Sequence, residues 1–298
     1  MSAKQSTDLL YMSMSTPIIL LCGQAGSGKD TVAKIIASYQ ETSIVALADP
    51  FKRFALDVFE FTPESLWGAS EHRNKGNPRF MDEDAWGKAY HRMASRSTLW
   101  LGDVNPDGNN RFAYTVLLGC FIKLAEEHGF AMIPKNAMDE QTRLMKVSTG
   151  HPPLTVRATL QKLGSEFGRA VDPQIWADYA VDMALELLAQ GTYSYDQVKG
   201  ITKDPRKPVE MVVISDGRFR NEILGVKKAG GYVIRIKDPH APPPSSTAHA
   251  SETSLNAIPD HFYDAVLIND KKRGTLFLEN EVFRMLKSLR KTAVYGDY

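Results

Sequence analysis

The sequence predicts an α/β fold in which helices cover both faces of a five-stranded parallel sheet. Three observations favour it: five short apolar segments, helical periodicity between several of them, and a glycine-rich turn that joins the first segment to a helix. Strands buried on both faces of a parallel sheet read as continuous apolar runs, as these segments do. The predicted strands are residues 17–22, 44–47, 211–215, 232–236 and 265–268.

Helices are predicted where apolar residues recur every three or four positions. The pattern begins at Thr31, directly after the glycine-rich turn, and returns over residues 112–127, 176–187 and 278–289. Because several of these segments lie between predicted strands, we expect a doubly wound sheet. Ligands of such sheets bind at the carboxyl ends of the strands.

The interval between the second and third predicted strands is far longer than an ordinary crossover connection. We expect residues 17–48 and 209–298 to form the core that contains the sheet. Residues 49–208 are predicted to form a largely helical inserted lobe, within which residues 98–150 are an additional insertion. The proline-rich stretch 240–250 is predicted to be a surface loop that closes over a site.

Composition excludes several classes of protein. At 298 residues with 43% hydrophobic content, the chain can bury a large core and is not disordered overall. Its 36 basic and 35 acidic residues leave a net charge of +1, so no global field attracts nucleic acid. Two cysteines are too few for a disulfide framework, and no apolar stretch approaches the roughly 20 residues of a membrane span. We therefore expect a cytoplasmic protein, with residues 1–16 as a flexible tail.

Residues 23–29 (GQAGSGK) satisfy the phosphate-loop pattern G-x-x-x-x-G-K between a predicted strand and a predicted helix. Glycines let successive backbone N–H groups turn toward phosphate oxygens, and the helix N-terminus adds a favourable dipole. The alternative, a plain glycine-rich connection, leaves the lysine and its placement unexplained. The predicted nucleotide-binding residues are Gly23, Ala25, Gly26, Ser27, Gly28, Lys29, Asp30 and Thr31.

Magnesium ligation is predicted for three oxygen-bearing side chains. The position after Lys29 usually carries the hydroxyl that binds Mg²⁺, but here it is Asp30, followed by Thr31. We favour water-mediated binding by Asp30; direct binding, ligation by Thr31 instead, or a mere helix cap are the alternatives. Asp216 ends a buried strand, where many phosphate-loop proteins place a carboxylate that orients Mg²⁺.

Two arginines, Arg218 and Arg220, follow Asp216 at the predicted carboxyl edge of the sheet. Guanidinium groups suit phosphate oxygens, although a surface turn whose arginines pair with Glu222 is the alternative. Phosphoryl transfer depends on charge stabilisation more than on a protein nucleophile. Lys29, Asp216 and Arg218 are therefore the predicted catalytic residues.

Seven sequence blocks that span most of the chain carry a family resemblance. They are GQAGSGKDTVA (23–33), ADPFK (48–52), LWGASEHRN (66–74), LQKLGSEFGR (160–169), ISDGRFRNE (214–222), HASE (249–252) and FYDAVLIND (262–270). Together they resemble phage-type deoxynucleoside monophosphate kinases, members of the P-loop nucleoside monophosphate kinase superfamily. Residues 1–16 and 98–150 lie outside the match, and Arg220 stands where proline is expected.

The resemblance implies a P-loop NTPase fold that phosphorylates deoxynucleoside 5′-monophosphates to diphosphates with ATP and Mg²⁺. It also implies that the inserted lobe binds the acceptor nucleotide, and that the location is the host cytoplasm if a phage encodes the chain. The implied acceptor-binding residues are Lys52, Arg73, Arg157, Gln161, Arg169 and Trp176.

Helical spacing bears on three of these residues. If one helix runs through them, Arg157 and Gln161 share a face and Arg169 lies about two turns beyond Gln161. The alternative is a solvated polar face opposite apolar residues. Trp176 suits stacking on a base, yet a buried tryptophan more often belongs to a core.

Two other functions compete with this interpretation. A kinase of another small phosphate ester, of the phosphomevalonate or dephospho-coenzyme A type, would share the core and differ in the lobe. A nucleic-acid ATPase would use the basic stretches 72–79 and 92–96, but acidic residues interrupt these and the net charge is close to zero. We expect small-molecule nucleotide substrates, no membrane and no stable nucleic-acid partner. Base preference, sugar preference and the choice between a monomer and a homodimer stay open.

Overall fold

The computed structural model describes residues 17–105, 108–136, 139–190, 193–203, 209–241 and 254–295. The predicted tail, the HASE block and most of the predicted closing loop lie outside these residues. The described chain forms two compact units. The sheet unit runs up to Leu47 and resumes at Ala177, and the lobe comprises Ala48–Trp176. Residues 177–190 and 193–203 therefore group with the sheet, whereas the sequence interpretation had assigned them to the lobe.

The described regions contain nine strands and eleven α-helices, together with shorter 3₁₀ and π segments. The strands are β1 (Ile18–Cys22), β2 (Thr42–Val45), β3 (Phe130–Asn136), β4 (Asp139–Lys146), β5 (Tyr193–Asp196), β6 (Gly200–Lys203), β7 (Met211–Gly217), β8 (Tyr232–Lys237) and β9 (Ala265–Ile268). The helices are α1 (Lys29–Ala37), α2 (Asp49–Phe59), α3 (Pro63–Trp67), α4 (Ser70–Asn74), α5 (Glu83–Val104), α6 (Asn110–Glu127), α7 (Val156–Gln161), α8 (Gly168–Val171), α9 (Ile175–Gln190), α10 (Arg220–Lys228) and α11 (Thr275–Tyr295).

The predicted five-stranded parallel sheet is confirmed. Its order is β2-β7-β1-β8-β9, and every neighbouring pair is parallel. All five residues of the central strand β1 are fully buried, which explains its unbroken apolar sequence. Strand β2 begins and ends two residues earlier than predicted. Ala46 and Leu47 stay buried but belong to the following turn, where the Leu47 N–H donates to the Asp216 carboxylate (2.7 Å).

Helices cover both faces of the sheet. On one face, Ile19 and Leu21 of β1 share a core with α1 and α11. On the other face, α10 contacts β1 and β8, and its Val226 side chain lies next to Gly231. Within the described residues, no helix is both long and apolar enough to cross a membrane.

The lobe is largely helical and has an aromatic core. The fully buried Trp86 ring packs against Phe80, Phe121 and Phe130, with centroid separations of 5.3 to 5.7 Å. An antiparallel hairpin, β3–β4, was not predicted from the sequence, and neither was the hairpin β5–β6 of the sheet unit. The extra insertion thus holds the end of α5, all of α6 and a hairpin.

A continuous helical run extends from Val156 to Val171, but its middle is not α-helical. Residues Lys162–Phe167 form a π-helix, in which hydrogen bonds reach five residues along the chain. Arg157 and Gln161 therefore lie one turn apart on α7, as predicted. The run from Gln161 to Arg169 includes this π segment, so the regular α-helix assumed for their spacing is interrupted over Lys162–Phe167.

Candidate active site

The phosphate loop lies between β1 and α1, as the sequence predicts. Gly26 and Gly28 have φ angles of 75° and 95°, a backbone conformation that residues with a Cβ atom rarely adopt. At Gly23 a Cβ atom would lie 2.4 Å from the Ser27 hydroxyl oxygen and 2.8 Å from the Ile236 carbonyl oxygen. The fold therefore requires glycine at these three positions of the motif.

Lys29 is the first residue of α1, and its side chain is 9% exposed. Its ammonium group folds back over the loop and donates to the carbonyl oxygens of Gly23 (2.6 Å) and Gln24 (2.9 Å). Burial lowers the Lys29 pKa to about 8, and the Arg218 charge lowers it further. The charges of Asp216 and Asp30 raise this pKa and offset part of the effect. An anion bound here would stabilise the charged ammonium.

Asn269, which the sequence interpretation did not single out, holds the phosphate loop from the end of β9. Its Nδ2 donates to the Ser27 carbonyl oxygen (2.8 Å), and its backbone N–H donates to the Lys237 carbonyl oxygen (2.8 Å). A Cβ atom on Gly28 would lie 2.2 Å from this Nδ2, so glycine is also needed for the approach of Asn269. Its signal is a polar residue directly after a strand, at the carboxyl edge of a parallel sheet.

A cavity of about 420 Å³ adjoins the phosphate loop, a volume within the range of small-molecule sites. Predicted nucleotide-binding residues line one part of it, and residues that follow β9 line the rest. Its lining residues are Gly26, Gly28, Lys29, Asp30, Thr31, Asn269, Lys271, Gly274, Thr275 and Leu278. Within the loop, the Ser27 hydroxyl is buried and has no hydrogen-bond partner among the described residues. Such a group accepts a ligand contact at little cost.

The three predicted magnesium ligands lie near the phosphate loop. Asp30 and Thr31 are exposed in the first turn of α1, and Gly28, not Asp30, occupies the N-cap position. Asp216 is half-buried near the end of β7, and its charge, like that of Asp30, raises the Lys29 pKa. No group of three or more metal-binding side chains occurs in the described part of the chain. A cation here would take further oxygen ligands from phosphate and water.

Arg218 follows β7 and is fixed through its backbone. Its N–H donates to the Glu222 carboxylate (2.6 Å), and its carbonyl oxygen accepts from the Ser254 hydroxyl (2.8 Å). Arg220 is exposed, and its guanidinium group lies over the Phe262 ring, 4.8 Å from the centroid. The hydrogen bonds of Glu222 to backbone N–H groups argue against the interpretation in which it pairs with arginine side chains.

Glu222 is buried at 7% exposure. Burial raises the pKa of Glu222 to about 7, and the Asp216 charge acts in the same direction. Hydrogen bonds from the N–H groups of Arg218 and Phe219, together with the Arg218 charge, lower this pKa. The carboxyl group therefore titrates close to neutral pH.

Three of the predicted acceptor-binding cations lie on helices of the lobe that are connected through contacts with α7. Lys52 is on α2, Arg73 on α4 and Arg157 on α7, and α7 contacts both α2 and α4. The Lys52 ammonium lies 3.9 Å from the Asp49 carboxylate and 5.6 Å from the centroid of the Trp67 ring. The Lys52 ammonium thus lies between a buried carboxylate and an indole ring.

Hydrogen bonds orient the two arginines of this group. The Arg157 Nε donates to the Asn74 side-chain oxygen (2.5 Å), and the Arg73 Nη1 contacts the Leu66 carbonyl oxygen at 3.5 Å. Gln161 is half-buried one turn beyond Arg157. Arg169 is exposed on α8, which contacts α6.

Trp176 belongs to the core of the lobe. Its side chain is 7% exposed, its N–H donates to the Gly164 carbonyl oxygen (2.8 Å), and its ring packs on Phe51 at 5.0 Å. A Cβ atom on Gly168 would lie 2.1 Å from the indole nitrogen. Trp176 is therefore packed within the core of the lobe, and its implied role in substrate binding stays a prediction.

Residues 17–278 match the model of a protein family described as deoxynucleotide monophosphate kinase. The chain belongs to this family. The match includes both the phosphate loop and the Arg218 turn, and it confirms the resemblance found in the sequence blocks.

One similar protein, from Acanthamoeba polyphaga mimivirus, carries the provisional name of a deoxynucleotide monophosphate kinase. It is 44% identical over 66 residues, which are 22% of this chain and 32% of that protein. The alignment thus spans about a third of the length of the relative.

Besides Asn269, two residues of the site have structural roles that were not predicted from the sequence. The sequence suggests Glu222 only as a partner for arginine side chains, and it gives no indication of a role for Ser254. A glutamate three residues after the N-cap residue of a helix often accepts a hydrogen bond from the N-cap backbone N–H. Glu222 occupies this position relative to Phe219, so its backbone contact could have been predicted. Ser254 is distant in sequence from Arg218, so no local pattern connects the two residues.

Proposed function

We propose that the protein transfers the γ-phosphoryl group of ATP to a deoxynucleoside 5′-monophosphate, giving ADP and the deoxynucleoside diphosphate. One observation carries this proposal: the buried Lys29 ammonium lies over a phosphate loop, next to Asp216 and Arg218, in a chain of this kinase family. The family description supplies the acceptor class. The loop geometry supports ATP as the donor.

The nucleotide triphosphate would occupy the cavity beside the loop. Backbone N–H groups at the start of α1 and the Ser27 hydroxyl suit phosphate oxygens. Lys29 then exchanges its two carbonyl acceptors for the β- and γ-phosphates. Anionic oxygens stabilise the ammonium more than neutral carbonyls do. Asn269 keeps the loop in this shape.

Asp30, Thr31 and Asp216 would hold Mg²⁺, because hard cations prefer carboxylate and hydroxyl oxygens. When bound, the ion neutralises charge on the β- and γ-phosphate oxygens. Asp216 also ties the end of β7 to the turn after β2 through its bond to the Leu47 N–H. Its carboxylate is therefore held in place before any ligand binds.

The acceptor phosphate needs no general base from the protein. A phosphate monoester loses its second proton at about pH 6, so its oxygen is already anionic at neutral pH. Lys29 and Arg218 offset the negative charge that moves from the γ-phosphate toward the β–γ bridging oxygen. Their contribution is electrostatic and depends on position.

The lobe would bind the acceptor. Lys52 and Arg73 lie on helices that each contact the helix of Arg157, which supports a shared role in binding an anion. Gln161, one turn from Arg157, suits a hydrogen bond to a base or sugar. Arg169 remains a proposed contact, and Trp176 supports the lobe from within its core.

An acceptor screen tests the proposed function. Coupled ADP release is measured with ATP and Mg²⁺ against each deoxynucleoside and ribonucleoside monophosphate. Phosphomevalonate and dephospho-coenzyme A serve as comparison acceptors. We expect turnover with at least one deoxynucleotide and background rates with both comparison compounds. Turnover with a comparison compound alone would assign the chain to a different substrate class.

A further inference from the structure

The peptide segment of Arg218 is held on two sides by side chains from different parts of the sheet unit. Its N–H donates to the Glu222 carboxylate at 2.6 Å, and its carbonyl oxygen accepts from the Ser254 hydroxyl at 2.8 Å. Glu222 comes from α10, and Ser254 begins a short 3₁₀-helix, Ser254–Ala257. Two independent elements thus fix the backbone from which the Arg218 side chain projects.

A single oxygen atom of Glu222 carries much of this arrangement. Its Oε2 accepts from the N–H of Arg218 and also from the N–H of Phe219 (2.9 Å). Burial and the Asp216 charge both disfavour the ionised form of this carboxyl group. The two N–H donors offset part of this free-energy cost. A glutamine amide oxygen at the same position would accept both bonds without a charge.

The short helix that carries Ser254 also reaches the phosphate loop. The Gln24 Nε2 donates to the side-chain oxygen of Asn256 at 3.3 Å. Ser254–Ala257 therefore contacts Arg218 on one side and the loop on the other. This contact lets one element set the position of Arg218 relative to the nucleotide phosphates.

We propose that Glu222 and Ser254 are positioning residues, which act through Arg218 by holding its peptide N–H and carbonyl oxygen in the conformation required for phosphoryl transfer. The inference rests on the proposed function, in which Arg218 offsets charge on the transferred group. Neither side chain needs to touch substrate. Their effect passes through the backbone, so it should disappear when the Arg218 side chain is removed.

A double-mutant cycle in the full-length protein tests this. Glu222→Ala should lower kcat by about 10- to 100-fold while changing the KM for ATP less than about 3-fold, because the phosphate loop is untouched. Glu222→Gln should restore kcat to within about 3-fold of the wild type, since the amide oxygen keeps both hydrogen bonds. Ser254→Ala should lower kcat by about 3- to 10-fold, because it removes one of the three bonds.

The decisive comparison is made in the Arg218→Ala background. There Glu222→Ala and Ser254→Ala should change kcat by less than about 2-fold, because the group that they position is gone. An equal loss in both backgrounds would overturn the proposal, and so would a wild-type kcat for Glu222→Ala. If Glu222→Ala does not fold, the Ser254→Ala cycle and the Glu222→Gln variant decide the question on their own.

A matched control is offered by Asp264, another carboxylate of the sheet unit that accepts a backbone N–H, that of Val233 at 2.7 Å. Asp264→Ala should lower thermal stability with kcat unchanged within about 2-fold. Failure of the proposed function is separately visible. If Arg218→Ala keeps full activity, the role assigned to Arg218 is wrong, whereas a strong Arg218→Ala defect with additive Glu222→Ala loss rejects only the positioning role.

Discussion

Lys29 is a buried cation that lacks sufficient negative charge around it. Its two direct partners are neutral carbonyl oxygens, and the nearby Arg218 repels it. Burial, and after it the Arg218 charge, lower the Lys29 pKa to about 8, so part of the population is neutral under mildly alkaline conditions. Triphosphate binding supplies the missing anion and raises the pKa again.

Nucleotide binding should therefore take up protons. At pH 8 about half of the free Lys29 is deprotonated, so ATP binding should take up about 0.5 proton, falling toward zero near pH 6.5. Calorimetry in buffers of different ionisation enthalpy measures this number. Lys29→Arg is the matched variant, because its guanidinium group stays protonated. Proton uptake on ATP binding to this variant should vanish at pH 8. Equal uptake in both proteins would place the titration elsewhere.

Removal of the catalytic charges should slow turnover. Lys29→Ala and Arg218→Ala should each lower kcat by about 10² to 10³, the scale typical of losing one charge-stabilising group. Lys34→Ala, on the exposed side of the same helix α1, is the control and should leave kcat unchanged. Steady-state assays check all three variants, and a near wild-type rate for Lys29→Ala would reject the site.

Glu222 should make stability depend on pH in a defined direction. Its pKa of about 7 in the folded protein exceeds the ordinary value of 4.5, so the folded state binds this proton more tightly. The stabilisation is complete below pH 4.5 and is lost as the pH rises through 7. The free energy of unfolding of Glu222→Gln, relative to that of the wild type, should therefore increase by about 3 kcal/mol from pH 4.5 to pH 7. Urea unfolding at several pH values measures this gain, and a constant difference would contradict it.

At the scale of elements, the loop between β1 and α1 depends on close approach as much as on glycine conformation. Gly28→Ala should destabilise the protein and weaken ATP binding, because φ is 95° and the new Cβ would meet Asn269 at 2.2 Å. The control is Gly150→Ala, at a φ of 86° with open space around it. We expect the loop variant to lose about 1 to 3 kcal/mol more stability than the control. Equal losses would mean that the contact with Asn269 is unimportant.

The predictability of the elements follows from burial. Buried parallel strands such as β1 and β7 are continuous apolar runs, so the sheet could be predicted from the sequence. Hairpin β3–β4 could not, because Asp139–Lys146 is mostly polar and the opposite strand contains Pro134. The π segment Lys162–Phe167 also carries no periodic signal. It lies between Gln161 and Arg169, where the sequence pattern predicts a regular α-helix.

The same physics explains which site residues were found. Lys29 and Asp216 were predictable because a local motif and a strand end fix their positions. The burial of Trp176 depends in part on Phe51, which is distant in the chain, so no local pattern reveals it. Asn269 reaches Ser27 across 242 positions, which no local pattern reveals.

At the scale of the whole molecule, charge is balanced globally and concentrated locally. The net charge is +1, yet Lys29 and Arg218 lie together in the sheet unit, and Lys52, Arg73 and Arg157 lie on contacting helices of the lobe. This distribution suits small anionic ligands held at defined places better than a long polyanion, whose binding needs an extended basic surface. Each unit thus carries its own group of cations.

Direct observation of phosphoryl transfer tests the central claim most sharply. The protein is incubated with γ-labelled ATP, Mg²⁺ and each deoxynucleoside monophosphate, and the products are separated by chromatography. We predict that the label appears in a deoxynucleoside diphosphate and that Lys29→Ala abolishes it, while Lys34→Ala does not. Label found only in free phosphate, or only in ATP with every acceptor, would contradict the proposed function.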